Sequence, residues 1–404
     1  MKQLITAFLR PSVAVVMLLI ALPLTAQDYK NWVKQAPRLP DSFFFSDSCE
    51  ATLHNVLASQ LPTGAWGKNI NFFRHREAHP EDVLLGTIDN HATITEIRFL
   101  LRYASLHPGE PTAETSLAAA LRGIRYLLDM QYANGGFPQY YPRRDHYHGQ
   151  ITFNDNAMLN ALSLLRDASR RNVPFTLLPD TLSHLCEEAF QRGIRCILRC
   201  QIVRDGHPTV WCQQHDSVTL APCGARAFEL PSFVSAESAD IVKFLMTLPT
   251  PSDSIRHAVE GAMRWYRANA ISGIQKKRFT DAQGREDYRM APCAPTSSPS
   301  EECPRLWARF YDLDTCSPFF CGRDGIPRSH VEDIDHERRN GYAWYVTSPE
   351  RLFPLYEKWL RAISRSVISL SPKKNPQALS PSIQPYILYR AGWMDEACWS
   401  RKGA

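Results

Sequence analysis

Apolar residues recur at three- and four-residue spacing through most of the chain, which predicts helices. Leu121, Ile124, Leu127 and Leu128 mark one, and Leu185, Ala189, Ile194, Ile197 and Leu198 mark another. The two segments align with each other. Gly123-Ile124-Arg125-Tyr126-Leu127-Leu128-Asp129-Met130-Gln131 matches Gly193-Ile194-Arg195-Cys196-Ile197-Leu198-Arg199-Cys200-Gln201, and each runs into a turn, Asn134-Gly135-Gly136-Phe137-Pro138 or Asp205-Gly206-His207-Pro208. A weaker copy lies upstream, where Leu57-Ala58-Ser59-Gln60 precedes Thr63-Gly64-Ala65-Trp66. Gln60, Gln131 and Gln201 thus stand 71 and 70 residues apart.

A second helix follows each turn. Thr87-Ile88-Asp89-Asn90-His91-Ala92 parallels Thr152-Phe153-Asn154-Asp155-Asn156-Ala157, and both lead into apolar runs; a third such helix is expected from Ala236 to Leu248, after the segment holding Asp216. Polar residues at these helix starts are expected to cap orphan amides. Residues 157–165 are apolar nearly all round, as suits an inner, buried helix. Helix, turn, helix at this period predicts stacked pairs, because one pair alone buries only part of its apolar surface. The expected fold is mainly α: an α/α toroid-like, incomplete barrel, with turns and helix starts gathered at one end, short β elements and long loops.

From Pro292 the pattern changes. Proline, serine and cysteine crowd residues 292–304, and β-favouring residues at Leu306 to Tyr311 and Phe319 to Phe320 predict short strands. A helix is expected over Glu357 to Ile363, followed by a tail of unassigned structure over residues 364–404. At the other end, Lys2 and Arg10 precede the apolar run Val13 to Leu24 and small residues near Ala26, the order of a secretory signal over residues 1–26. The expected catalytic domain is therefore residues 27–363, secreted or periplasmic, with no membrane span.

The 404 residues carry a net charge of +5 with both signs interspersed, which speaks against nucleic acid as partner and leaves a polyanionic sugar allowed. Eleven cysteines, an odd number, are too dispersed for a dense disulfide framework; Cys316 with Cys321 or Cys293 with Cys303 are the local pairs. Cys196, Cys200, Cys212 and His215 imitate a zinc set, but Cys196 and Cys200 align with core-facing Tyr126 and Met130.

Several long motifs then fall in one order: Asn134 to Pro142, Thr152 to Met158, Trp211-Cys212-Gln213-Gln214-His215-Asp216, Ala225-Arg226-Ala227-Phe228-Glu229-Leu230-Pro231-Ser232, Trp307-Ala308-Arg309-Phe310-Tyr311, Gly322-Arg323-Asp324-Gly325 and Glu337 to Tyr342. Across residues 50–363 the chain resembles the family 10 pectate lyases. The resemblance implies an enzyme that cleaves polygalacturonate by calcium-assisted β-elimination with an arginine as base. By position it implies that Asp155 and Asp216 bind Ca2+, that Asn156 and Arg226 contact substrate, and that Arg309 and Arg323 grip galacturonate carboxylates and serve the catalytic step. The family's base arginine lies between the segments of Asp216 and Arg309, where Arg278, Arg285 and Arg289 are candidates. A monomer is expected.

Chemistry sets conditions on this reading. Calcium takes about 6 to 8 oxygens, so two aspartates need help from water and substrate carboxylates. Arginine is normally charged at all working pH values, so its use as a base favours alkaline conditions. An aspartate at a helix start is ordinarily a cap, and the arginines beside Asp312, Asp314 and Asp324 ordinarily form local ion pairs. Tyr140, Tyr141, Trp211 and Trp344 are candidates for stacking on sugar rings; His91, His146 and His148 show no partner pattern. Two other readings stay open: an inverting glycoside hydrolase, which needs two carboxyl groups about 6.5–9.5 Å apart, and a non-catalytic pectin-binding protein.

Overall fold

The computed structural model describes residues 31–74, 86–142, 145–293 and 303–370, and the side chains of 366–370 are not among them. The expected signal segment, residues 1–26, and residues 371–404 of the tail lie outside the described residues.

Helix α1 (Asp47–Ala58) is followed by three antiparallel pairs: α2 (Ile94–Leu106) with α3 (Pro111–Met130), α4 (Ala157–Ser169) with α5 (Asp180–Cys200), and α6 (Ser235–Met246) with α7 (Asp253–Ala268). Within this array α2 also touches α4, α3 touches α5, and α5 touches α7, so the pairs stack side by side. Met158, Leu162, Leu164 and Leu165 of α4 have no exposed surface, in keeping with an inner position.

The recurring glutamines explain the repeat. Gln60 Nε2 donates to the carbonyls of Gly64 (2.8 Å) in its own turn and Ala119 (2.9 Å) on α3. Gln131 does the same to Gly135 (3.0 Å) and Ala189 (2.9 Å) on α5, and Gln201 to Thr209 (2.8 Å) and Ala258 (2.9 Å) on α7. Each amide closes one helix end and ties it to the next pair, with about 1 kcal/mol net per bond. The turn after Gln131 needs glycine: Gly135 has φ +93°, and a Cβ there would lie 2.1 Å from the Arg192 carbonyl oxygen.

One inner helix carries a buried acid. Glu96 of α2 accepts a hydrogen bond from the Trp32 indole (2.7 Å), and its other oxygen has no hydrogen-bond partner among the described residues. Burial holds its carboxyl at about 7, against an ordinary 4.5.

The β-rich segment closes over α6. Phe233–Val234, which leads into α6, pairs with Phe310–Tyr311, which pairs with Pro318–Cys321 and so with Pro327–Arg328, all antiparallel. A hairpin of Ile274–Thr280 and Glu286–Pro292 precedes it, and Cys293–Cys303 form a disulfide. Cys316 and Cys321, the other local pair, are free; the Cys316 thiol donates to Asn269 Oδ1 (3.3 Å). A five-residue helix α8 (His336–Asn340) and a long α9 (Leu352–Leu370) complete the described residues. Helix α9 corrects the expected Glu357–Ile363: residues 364–370 contain no helix breaker, and the first proline comes at 372, so the turns simply continue.

Candidate active site

Two short loops at the starts of α2 and α4 share an unusual backbone. Asn90 and His91 have φ +50° and +65°, and Asp155 and Asn156 have φ +48° and +60°. Non-glycine residues rarely adopt this left-handed region, and such strain gathers at functional sites. The loops are seated in sequence: Asp89–His91 lies against α4, and Asn154–Asn156 lies against the start of α6. Asp155 is not a cap. The helix α4 N-terminus receives no side-chain cap, and the Asp155 carboxylate accepts only from Asn154 Nδ2 (2.9 Å). The backbone thus turns this carboxylate away from the helix amides.

Asp155 is exposed, between partly buried Asn154 and Asn156. Burial raises its pKa and the negative charge of Asp89 raises it further, while Arg309 and Arg226 act in the opposite direction. Asp89 is buried; Oδ2 accepts from Lys68 Nζ (2.6 Å) and Oδ1 has no hydrogen-bond partner among the described residues. The Lys68 ammonium lies 5.3 Å from the centre of the Tyr140 ring. The charges of one aspartate and two arginines therefore act on Asp155 in opposite senses.

The cationic side is a shelf built on Phe228 and Tyr342, whose rings meet edge to face at 5.3 Å. Arg338 lies 4.4 Å and Arg226 4.8 Å from the Phe228 ring centre, and Arg309 4.6 Å from that of Tyr342; Arg323 is 5.9 Å from Phe228. Guanidinium planes stacked on aromatics keep their donors free at the edges. Each is also steered by an acid. Arg309, nearly buried, pairs with buried Glu237 at the start of α6. Burial opposes its charge, but Glu237 and the neighbouring acids outweigh this and raise its pKa. Arg226, half-exposed, donates from Nε to Glu229 (2.7 Å), and this bond raises its pKa. Glu229 also accepts from Tyr342 Oη (2.8 Å) and Gln213 Nε2 (3.1 Å), and Gln213 reaches Asn154 (2.8 Å), linking the shelf to the Asp155 loop. Arg323 stands on the rim in a twofold hydrogen bond to Glu337, 3.0 Å for each contact.

The loop of Asp155 and Asn156 is thus linked to the shelf that carries Arg226 and Arg309, with Arg323 farther out on the same shelf. The calcium pair expected from Asp155 and Asp216 is not assembled. Strand Ile151–Thr152 runs antiparallel to Gln214–His215, with Ile151 opposite His215, so Asp216 leaves at the end of the pair remote from Asp155. There Asp216 Oδ1 accepts from Val218 N (3.0 Å), Thr219 N (2.7 Å) and Thr219 Oγ1 (2.9 Å). These bonds lower its pKa and close a local turn. Asp89, buried in the parallel loop, is the other acid whose charge acts on Asp155. The signal for it was present, since the segment holding Asp89 parallels the one holding Asp155. Among the described residues no group of three or more His, Cys, Asp or Glu side chains surrounds one metal position.

Arg278, Arg285 and Arg289 lie on the exposed hairpin rather than in the acid–arginine set; Arg285 Nε donates to Asp281 of its own turn (2.8 Å). Trp211 and Trp344 are buried and support the fold, whereas Tyr140 stays partly open beside Lys68. Both nitrogens of His215 are engaged by backbone groups, Cys212 N (3.1 Å) and Leu220 O (2.8 Å), leaving neither for a metal.

The pectic acid lyase family matches residues 60–353. Two solved structures from Cellvibrio cellulosa resemble the chain. One is a family 10 polysaccharide lyase, 29% identical, with a TM-score of 0.66 over 83% of this chain and 98% of that one. The other is an aspartate-to-alanine mutant of a family 10 polysaccharide lyase from that organism, in complex with trigalacturonic acid, also 29% identical with a TM-score of 0.66, over 81% of this chain and 96% of that one. No curated protein gives a significant match.

Proposed function

The chain belongs to the pectic acid lyase family, and from that premise we propose that it is a secreted or periplasmic pectate lyase. It cleaves α-1,4-linked polygalacturonate by β-elimination and releases unsaturated oligogalacturonates, acting as a monomer. The observation that carries the reading is the left-handed loop that leaves Asp155 uncapped, tied through Asn154, Gln213 and Glu229 to the arginine shelf. In this reading the stacked helix pairs form an incomplete α/α toroid whose open end is the cleft.

The reaction removes the proton on the carbon that bears the carboxylate, then expels the glycosidic oxygen from its neighbour, leaving a double bond. Asp155 and Asp89 offer the hard oxygen donors that calcium prefers, and Asp89 Oδ1 is a buried oxygen in need of a partner. A calcium ion held there would supply Lewis-acid neutralisation of the uronate carboxylate, which would make the adjacent proton more acidic. Two carboxylates are too few for such an ion, so galacturonate and water would have to supply further oxygens. Arg309 and Arg323 hold substrate carboxylates with their planar forks, and Asn156 orients the sugar. An arginine that accepts the proton must first lose its own, which pushes the step to alkaline conditions; Arg226, whose bond to Glu229 raises its pKa further, serves instead as a cationic substrate contact.

The test is ultraviolet absorbance on trigalacturonate and polygalacturonate, with and without a chelator. Absorbance should rise, the chelator should abolish the rise, and Asp155→Ala should lower the rate at least about a hundredfold. New reducing ends without absorbance would mean hydrolysis, and binding without cleavage would mean a pectin-binding protein; either defeats the proposal.

A further inference from the structure

We propose that the hairpin of residues 274–292 is a second polygalacturonate-binding surface, outside the cleft, that holds the polymer beyond the sugars being cut. This rests on the lyase reading for the identity of the polymer, but not for the existence of an anionic partner.

The hairpin carries more positive charge than its own fold can use. Lys277 and Arg289 are direct cross-strand partners, and both are exposed. Like charges directly opposite destabilise a strand pair. Neither residue, nor Arg278, has an ion pair among the described residues, although carboxylates are near in sequence. Those carboxylates are spent elsewhere: Asp281 on Arg285, Glu286 on Thr280, and Asp287 on Arg339 and Asn340. On the opposite face Lys276 lies 3.6 Å from the Tyr288 ring centre and feels the repulsion of Arg278. A repulsion left standing on an exposed hairpin is relieved by an external polyanion.

The position suits that role. Helix α8 joins hairpin to cleft: Arg339 and Asn340 hold Asp287, His336 Nε2 lies 3.0 Å from the Glu286 carbonyl, and the adjacent Glu337 and Arg338 belong to the arginine shelf. The hairpin thus lies on the far side of this helix from the shelf. A polymer of uronates, with a carboxylate on every sugar, fits the exposed Lys277–Arg289 pair on one face and Arg278 on the other, whereas a trimer offers only three carboxylates.

The experiment uses the full chain carrying Lys277→Ser, Arg278→Ser and Arg289→Ser together, with Lys34→Ser, Lys243→Ser and Lys358→Ser as a control of equal charge. Mobility is compared in native gels with and without polygalacturonate, calcium omitted, and KM is measured on polymer and on trigalacturonate. The hairpin variant should lose most of its retardation and raise the polymer KM about threefold or more, with trimer kinetics and melting temperature unchanged. The control should match wild type. Unaltered retardation and polymer KM in the hairpin variant would overturn the proposal, as would an equal loss on the trimer, which would assign these residues to the cleft itself. If wild type makes no unsaturated product at all, the lyase reading fails, and the gel comparison still decides the hairpin.

Discussion

Glu96 offers the sharpest quantitative test of this structure. Its carboxyl is fully buried, one oxygen on the Trp32 indole and the other without a hydrogen-bond partner among the described residues, and burial lifts its pKa from 4.5 to about 7. A carboxyl whose pKa is raised by folding favours the folded state when protonated. That contribution is complete below pH 4.5 and is lost as the pH rises through 7. At about 1.36 kcal/mol per pKa unit, the loss amounts to about 3 kcal/mol and is constant above pH 8. Glu96→Gln keeps the shape and an acceptor for the indole but cannot ionise. Urea unfolding of both proteins from pH 4.5 to 9 should show the glutamine variant gaining about 3 kcal/mol on wild type across that range, most of it between pH 5 and 8. Parallel pH dependence of the two proteins would refute the reasoning, because Glu96 would then ionise as freely in the folded chain as in the unfolded one. The result bears on function, since the proposed elimination runs best where this cost is fully paid.

Two further predictions concern the cleft. Glu237→Gln leaves Arg309 without its counter-charge; the loss of a charge-assisted bond, about 1.5–3 kcal/mol, should lower kcat/KM on trigalacturonate about ten- to a hundredfold, mainly through KM, and an unchanged KM would show that Glu237 does not set the arginine. Asp89→Ala should abolish calcium-dependent product formation, whereas Asp216→Ala should cost about 1 kcal/mol of stability through its turn and leave kcat/KM within about threefold; calcium titrations of the two variants with the opposite ranking would return Asp216 to the metal.

The helices were readable because burying one face imposes a period, and the glutamines were readable because each repeat needs the same closure. Asp155 was found through its motif, yet its ordinary role as a cap was set aside only by the backbone, which places it and Asn156 at positive φ. Asp216 is placed by its own turn: an aspartate followed by Ser-Val-Thr can accept from the amides and hydroxyl after it, and here its Oδ1 does, at the strand end away from Asp155. Arg226 was legible as a substrate contact but not as the arginine facing Asp155. The hairpin arginines drew attention because they lie in the expected stretch of chain.

By itself the sequence determined what short-range rules control: the helix period, the repeat, the staple positions and the residue types available for uronate chemistry. Tertiary structure alone decided which charges meet. Asp89 and Asp155 are 66 positions apart, and Glu237 and Arg309 are 72 apart. Their pairing depends on how helix pairs stack and on which strand end faces the cleft. Coulomb energy falls with distance in space and takes no account of distance along the chain, so no local pattern could have revealed these partners.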